Sequence, residues 1–125
     1  MHGLQGIKSG PILRRGIAHF NAERYFEAHE AFEDLWRAES GARRPLYQGL
    51  TQACAGLVKH QRGQPGPAAT LLRRGLDKLE AAPPACRTGI DLPSLIRSLR
   101  DILDALAAGR PFEAPVMIPD RGPAP

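Results

Sequence analysis

Five segments of this chain repeat apolar residues at intervals of three and four, and turns that contain glycine or proline separate the last four of them. Residues at this spacing share one face of an α-helix, so each segment has an apolar face to bury. The predicted helices cover 11–21, 24–39 and 45–62, then a segment after the turn at 63–67, and finally 91–109. With 125 residues the chain has room for a single core. The sequence therefore predicts an all-α fold.

The third segment carries no charged residue between Arg44 and Lys59. A helix without charges over that length is expected to have neighbours on several sides, which places it at the centre of the fold. Gly49, Ala53 and Gly56 give this helix a flank of small residues. Another helix can approach that flank closely.

The first pair of helices aligns with the second pair, so that Gly16 falls on Gly56 and Phe32 falls on Leu72. Self-similarity of this kind indicates two similar helical hairpins. A small residue one turn before a large apolar one also resembles the pattern of tetratricopeptide hairpins. Two copies are too few for a solenoid, so we expect a compact bundle of about five helices, in which the fifth helix caps the two hairpins.

The ends of the chain differ in composition from its middle. The predicted organisation is a flexible N-terminus at 1–10, a single helical domain at 11–109 and a proline-rich extended tail at 110–125. Proline lacks the amide hydrogen that a helix interior needs, so the tail is not expected to be helical. Phe112, Val116 and Ile118 are expected to dock it on the bundle.

Charge and cysteine content indicate which partners and which cellular compartment to expect. The formal net charge is +4, but the acidic segment 23–39 lies beside the basic segment 43–78, which indicates complementarity within the fold. Nucleic acid is therefore not expected as a partner. No apolar run is long enough to span a bilayer, and residues 1–10 lack the apolar stretch of a secretory signal. Cys54 and Cys86 have no metal-binding spacing and indicate free thiols, so we expect a cytoplasmic protein.

The segment FNAERYFEAHEAFEDLW places two ionisable side chains, His29 and Glu33, inside the apolar arc of the second helix. Buried polar groups need hydrogen-bond partners, and residues four apart on a helix can supply them to each other. The third helix offers Gln48, Gln52 and His60 as further partners. We therefore expect a polar cluster around His29.

Three interpretations of this cluster remain open. The residues form a hydrogen-bonded network that fixes helix packing, or line a pocket for a small polar or anionic ligand, or bind a divalent metal ion. The ligand-binding candidates are His29, Glu30, Glu33, Gln48 and Gln52. The metal-binding candidates are His29, Glu33 and His60, because two imidazoles and one carboxylate suit zinc, iron or manganese.

The runs F-N-x-x-x-Y-F-E-A-H-E-x-x-E-x-x-W and Y-Q-G-L-x-Q resemble the domain of unknown function 309 family of small bacterial and archaeal proteins. The resemblance covers residues 14–80 and implies an all-helical domain without an assigned activity. The residues that match are Phe20, Asn21, Tyr25, Glu27, His29, Glu30, Glu33, Trp36, Gln48, Gly49, Gln52 and His60. The chain departs from the family at Ala22 to Arg24, which replace a glycine-containing turn.

Two classes of function follow from these patterns. The first is a non-catalytic structural or protein-interaction module that packs on a protein partner or on a second copy of itself. The alternative is a metal- or small-ligand-binding domain that uses His29 and Glu33, with hydrolase-like chemistry as one form of it. Whether the chain is an enzyme stays open at this point.

Overall fold

The structure is a computed structural model that describes residues 9–83 and 89–119. In these segments the chain forms five helices and no strand: α1 (Ser9–Asn21), α2 (Tyr25–Ala38), α3 (Arg44–Gln61), α4 (Pro65–Glu80) and α5 (Leu92–Ala108). The all-α prediction is confirmed. None of the helices in this described part is long and apolar enough to cross a bilayer. The likeness to tetratricopeptide hairpins stays a prediction.

The central helix of the bundle is α3, as its lack of charges predicted. It packs on both α2 and α4, while α1 packs on α2 and α5 packs on α4. Leu50, Cys54 and Leu57 of α3 are completely or almost completely buried. Burial of such apolar side chains is the main favourable contribution to folding.

The backbones of α3 and α4 touch along a seam of glycine residues. A Cβ atom at Gly75 of α4 would lie 2.7 Å from the carbonyl oxygen of Gly49 and 2.9 Å from the amide nitrogen of Ala53. A Cβ atom at Gly56 would lie 2.8 Å from Cγ of Leu72. The close approach expected from the small flank of α3 is thus confirmed, and the helix that makes it is α4.

The ends of α5 follow the signals in the sequence. Asp91 is the N-cap: its carboxylate accepts hydrogen bonds from the backbone N–H of Ser94 at 3.3 Å and from the Ser94 hydroxyl at 2.8 Å. These hydrogen bonds hold the pKa of Asp91 below its ordinary value. Gly109 ends the helix in the left-handed region with φ 65°, a conformation that glycine adopts without steric cost.

Two ionisable groups in the core stay neutral at neutral pH. Burial raises the pKa of Tyr25 to about 12, and the nearby Glu23 and Cys54 contribute in the same direction. Burial also raises the pKa of the fully buried Cys54 thiol. Cys54 is thus a free thiol in the core, whereas Cys86 lies outside the described residues.

The turn between α1 and α2 holds a glutamate in a conformation that suits glycine. Glu23 has φ 61°, and its carbonyl accepts a hydrogen bond of 3.0 Å from the Gln61 side chain. The family resemblance implies a glycine-containing turn where this chain has Ala22 to Arg24, and in this chain Glu23 takes the left-handed conformation. Such a conformation costs a residue with a side chain about 1 kcal/mol or more.

We expect Glu23→Gly to raise the free energy of unfolding by about 1 kcal/mol, because glycine removes the steric cost at this position. The melting temperature should rise by roughly 4 °C, measured by circular dichroism. Glu23→Ala is the matched control, since it removes the same charge but keeps a Cβ atom. An equal gain in both variants would show that the charge, and not the backbone, sets the effect.

The chain after α5 crosses the bundle as an extended segment, here called the tail strap (residues 110–119). The side-chain amide of Asn21 fastens it: Asn21 Nδ2 donates to the Met117 carbonyl at 2.9 Å, and the Met117 N–H donates to Asn21 Oδ1 at 2.7 Å. The N–H of Asp91 donates to the Ile118 carbonyl at 2.7 Å. The tail strap therefore joins the end of α1 to the start of α5.

The side chains that dock the tail strap differ from those predicted. Val116 and Ile118 are 54% and 49% exposed, while Pro115 and Met117 are buried. Successive side chains of an extended chain point to opposite sides, and the pairing of Met117 with Asn21 turns Met117 inward. The prediction was therefore wrong for Val116 and Ile118, which point outward. Phe112 is half-buried and packs against the core, as expected.

Candidate functional site

One flank of α2 carries a row of side chains at spacings of three, four and three residues, here called the α2 stripe: Phe26, His29, Glu33 and Trp36. Phe26 is 52% exposed, which is high for a large apolar side chain. Its ring stacks on that of His29 with centroids 6.1 Å apart and planes at 19°. An exposed aromatic pair on a helix is typical of a contact surface.

The far end of the α2 stripe is also aromatic. Trp36 is half-buried, and the guanidinium carbon of Arg44 lies 5.4 Å from the centroid of its ring. A guanidinium at this distance is attracted to the electron-rich ring face. The contact joins the start of α3 to the end of α2, so Arg44 belongs to the same surface.

Two nitrogen atoms on the α2 stripe lack hydrogen-bond partners. They are Nδ1 of His29 and Nε1 of Trp36, and both are shielded from solvent. A shielded polar atom without a hydrogen-bond partner lowers the free energy of unfolding. Stability of the isolated chain therefore does not explain these two nitrogen atoms.

The expected hydrogen bond between His29 and Glu33 is not among those of the described residues. Glu33 Oε1 instead lies 3.5 Å from Nη2 of Arg37, one turn further along α2. Both partners remain solvent-accessible, with the Arg37 side chain largely exposed. His29 and Glu33 lie at the edge of the core and not within it, so the buried cluster that the sequence suggested is not seen.

Three acidic side chains lie on the exposed surface of α2, and one of them borders the α2 stripe. Glu27, Glu30 and Asp34 are all exposed. Within the described residues none of the three has an ion-pair partner. Glu30, a predicted ligand-binding residue, is therefore part of a solvated acidic face beside Phe26.

The other predicted site residues lie on α3 at different places. Gln48 and Gln52 are half-buried, and Gln52 lines a cleft between α3 and α4 to which His29, Glu30 and Glu33 do not contribute. His60 lies at the end of α3, where its ring contacts that of Phe112 at 4.6 Å between centroids. Among the described residues, no three His, Cys, Asp or Glu side chains are grouped closely enough to hold a metal ion.

Sequence reasoning gave too little weight to Phe26 and Arg44. Phe26 is absent from the predicted cluster, although its position three residues before His29 continues the row outward from the core. The charge pattern marks Arg44 only as the boundary of an uncharged helical segment. The usable signal was the three-four-three spacing, which is the seam pattern of paired helices.

The family resemblance is confirmed by comparison with protein-family models. A model described as Domain of unknown function (DUF309) matches residues 13–71. The matched segment holds α2 and α3 completely, most of α1 and the start of α4, and it includes the whole α2 stripe. A search of curated proteins found no match to this chain.

Proposed function

Residues 13–71 belong to the DUF309 family, a domain of unknown function, and from this premise we propose that the chain is a non-catalytic protein-interaction module. Its docking surface is the α2 stripe. The observation that carries the proposal is the exposed Phe26 ring stacked on His29, in line with Trp36 on the same flank. Aromatic and arginine side chains contribute most of the binding free energy at protein interfaces.

The shape of the α2 stripe favours a helix as the partner. From Phe26 to Trp36 the row extends about 15 Å along the axis, which corresponds to nearly three helical turns. Its spacing of three and four residues matches the seam along which two helices pack side by side. A partner helix laid on this flank would cover Phe26 and the edge of His29 together.

The charges beside the α2 stripe favour a basic partner. Glu30 is exposed next to the row, Glu27 and Asp34 are exposed further round α2, and Arg37 is paired with Glu33. A helix with an apolar seam bordered on one side by lysine or arginine would meet opposite charge along that side. Such complementarity raises the association rate and excludes acidic partners.

We expect a designed basic helix to bind the α2 stripe. The probe is a peptide of about 20 residues with a leucine seam bordered by lysines, long enough to cover the row. Trp36 is the only tryptophan of the chain, so its fluorescence reports contact at the stripe directly. Phe26→Ala should weaken binding about tenfold, which corresponds to about 1.4 kcal/mol.

Val116→Ala is the matched control, because Val116 is exposed to a similar degree but lies on the tail strap. Its affinity for the peptide should equal that of the unchanged protein. Equal binding of a peptide with glutamates in place of the lysines would contradict the charge argument, and an unchanged affinity in Phe26→Ala would contradict the site. A dimer in light scattering that Phe26→Ala abolishes would make a second copy the occupant.

A further inference from the structure

A second surface, independent of the α2 stripe, is a cleft of about 550 Å³ between the first half of α3 and the second half of α4. This volume lies in the range of small-molecule sites. The α3–α4 cleft is lined by Ala42, Pro45, Leu46, Gln52, Arg74, Asp77, Lys78, Ala81, Ala82 and Pro83. It therefore combines a few polar groups with apolar walls, which is the usual make-up of a ligand site.

One wall of the α3–α4 cleft is cationic. Arg74 and Lys78 are one turn apart on α4, so both side chains project from the same flank. In the described part of the chain neither has an ion-pair partner within 4.0 Å, although Asp77 lies between them. Two cations and one carboxylate give this wall a net positive charge. Arginine can also donate two parallel N–H hydrogen bonds to a carboxylate or phosphate.

The opposite wall supplies a polar group that lacks a partner. The side-chain oxygen of Gln52 is shielded from solvent and accepts no hydrogen bond. Rotation of this amide by half a turn exchanges its oxygen for its NH₂ group, so the side chain can offer either an acceptor or a donor. Because the oxygen faces inward, the group that Gln52 offers to a ligand in the cleft is its NH₂, or its oxygen after that rotation.

The remaining walls are apolar and close on the start of α3. Pro45 and Leu46 of its first turn line the cleft, and Ala81 and Ala82 face them from the end of α4. The N-cap of α3, Arg43, makes no side-chain capping hydrogen bond, so the positive end of the helix dipole is not offset by a capping oxygen. The C-terminus of α4, whose dipole end is negative, lies at the same end of the cleft, so the positive charge of the site comes from Arg74 and Lys78.

We propose that the α3–α4 cleft binds a small organic anion, with its carboxylate or phosphate held by Arg74 and Lys78 and its apolar part between the proline and alanine walls. The Gln52 amide hydrogen-bonds to the same ligand. Carboxylate and phosphate share the chemistry that this wall recognises, and the ligand is limited in size by the cleft.

The test is a titration followed by ¹H–¹⁵N correlation spectra of the full chain with four probes: phenyl phosphate, benzoate, inorganic phosphate and benzyl alcohol. Phenyl phosphate or benzoate should shift the Gln52 side-chain NH₂ and the backbone amides of Leu46 and Lys78 with saturation. Whichever of the two binds more tightly identifies the anionic group. Inorganic phosphate and benzyl alcohol, each lacking one half of the proposed ligand, should bind at least about tenfold more weakly.

Arg74→Gln and Lys78→Gln should each weaken binding of the better probe about tenfold. Arg73→Gln is the matched control, because Arg73 carries the same charge on the same helix but does not line the α3–α4 cleft. Equal weakening by Arg73→Gln would overturn the proposal in favour of general attraction between charges. Absence of saturable shifts with both phenyl phosphate and benzoate would overturn it outright, whatever the outcome at the α2 stripe.

Discussion

Replacing Gly75 by alanine is expected to lower the free energy of unfolding by about 2 kcal/mol. The added methyl group would lie 2.7 Å from the Gly49 carbonyl oxygen and 2.9 Å from the Ala53 amide nitrogen. These atoms belong to the backbone of α3, so no side-chain rotation can make room for the methyl group. The two helices must move apart, and the packing on both sides of the seam is lost with them.

The expected loss is a difference between two opposing effects. Alanine is the better helix former and contributes about 1 kcal/mol in favour of the variant. Overpacking against a fixed backbone costs about 3 kcal/mol, near the upper end for insertion of a methyl group into a packed interior. The net effect is therefore destabilising, even though the substitution would stabilise an isolated helix.

Gly66→Ala is the control that separates these effects. Gly66 lies in the first turn of the same helix, and a Cβ atom there would meet no atom within 4 Å. The free energy of unfolding of the Gly66→Ala variant should stay the same or rise by up to about 1 kcal/mol. Urea unfolding of both variants measures the difference. A Gly75→Ala protein as stable as Gly66→Ala would show that α3 and α4 are not in backbone contact.

The seam was predictable because small residues at helical spacing have few other uses in a helix. Gly49, Ala53 and Gly56 each lower helix propensity or forgo a large apolar side chain, and a partner backbone is the compensation. The identity of that partner was not predictable, because Gly75 lies on a different helix and nothing in its own segment marks it as the contact. Local spacing indicates that a helix packs closely, while the fold decides against which one.

The site was predicted less well for a related reason. A helical wheel places His29 and Glu33 within the apolar arc of α2, but it does not show how much of that arc α1 and α3 cover. In the structure Phe32 and Leu35 are fully buried, whereas His29 and Glu33 lie at the uncovered edge. Positions within one apolar arc therefore became core or surface, depending on packing that the sequence of one helix does not contain.

The tail strap shows most plainly what local sequence patterns do not predict. Asn21 and Met117 are 96 residues apart in the chain, and their paired hydrogen bonds set which tail side chains face inward. A shift of one residue would exchange the buried and exposed sets, because the side chains of an extended chain alternate. The apolar residues Val116 and Ile118 gave the opposite register to the one observed.

Asn21→Asp is expected to lower the free energy of unfolding by about 2 kcal/mol, since it removes one hydrogen bond worth about 1 kcal/mol and replaces it with a repulsive contact of similar size. The Asn21 NH₂ group donates to the Met117 carbonyl, and a carboxylate has no hydrogen to donate in its place. The carboxylate would instead face that carbonyl oxygen and repel it. The Met117 N–H can still donate to the remaining oxygen, so the loss falls on the Met117 carbonyl.

The effect should be local to the tail strap, and hydrogen exchange can show this. Exchange of the Met117 backbone amide should become faster in Asn21→Asp, while amides in the middle of α3 keep their relative protection. Gln61→Glu is the matched control, because it removes a single exposed side-chain donor to the Glu23 carbonyl and should cost about 0.5 kcal/mol or less. Unchanged exchange at Met117 in Asn21→Asp would mean that the Asn21 side chain does not hold the tail strap. Its buried residues Pro115 and Met117 would then be the main anchor.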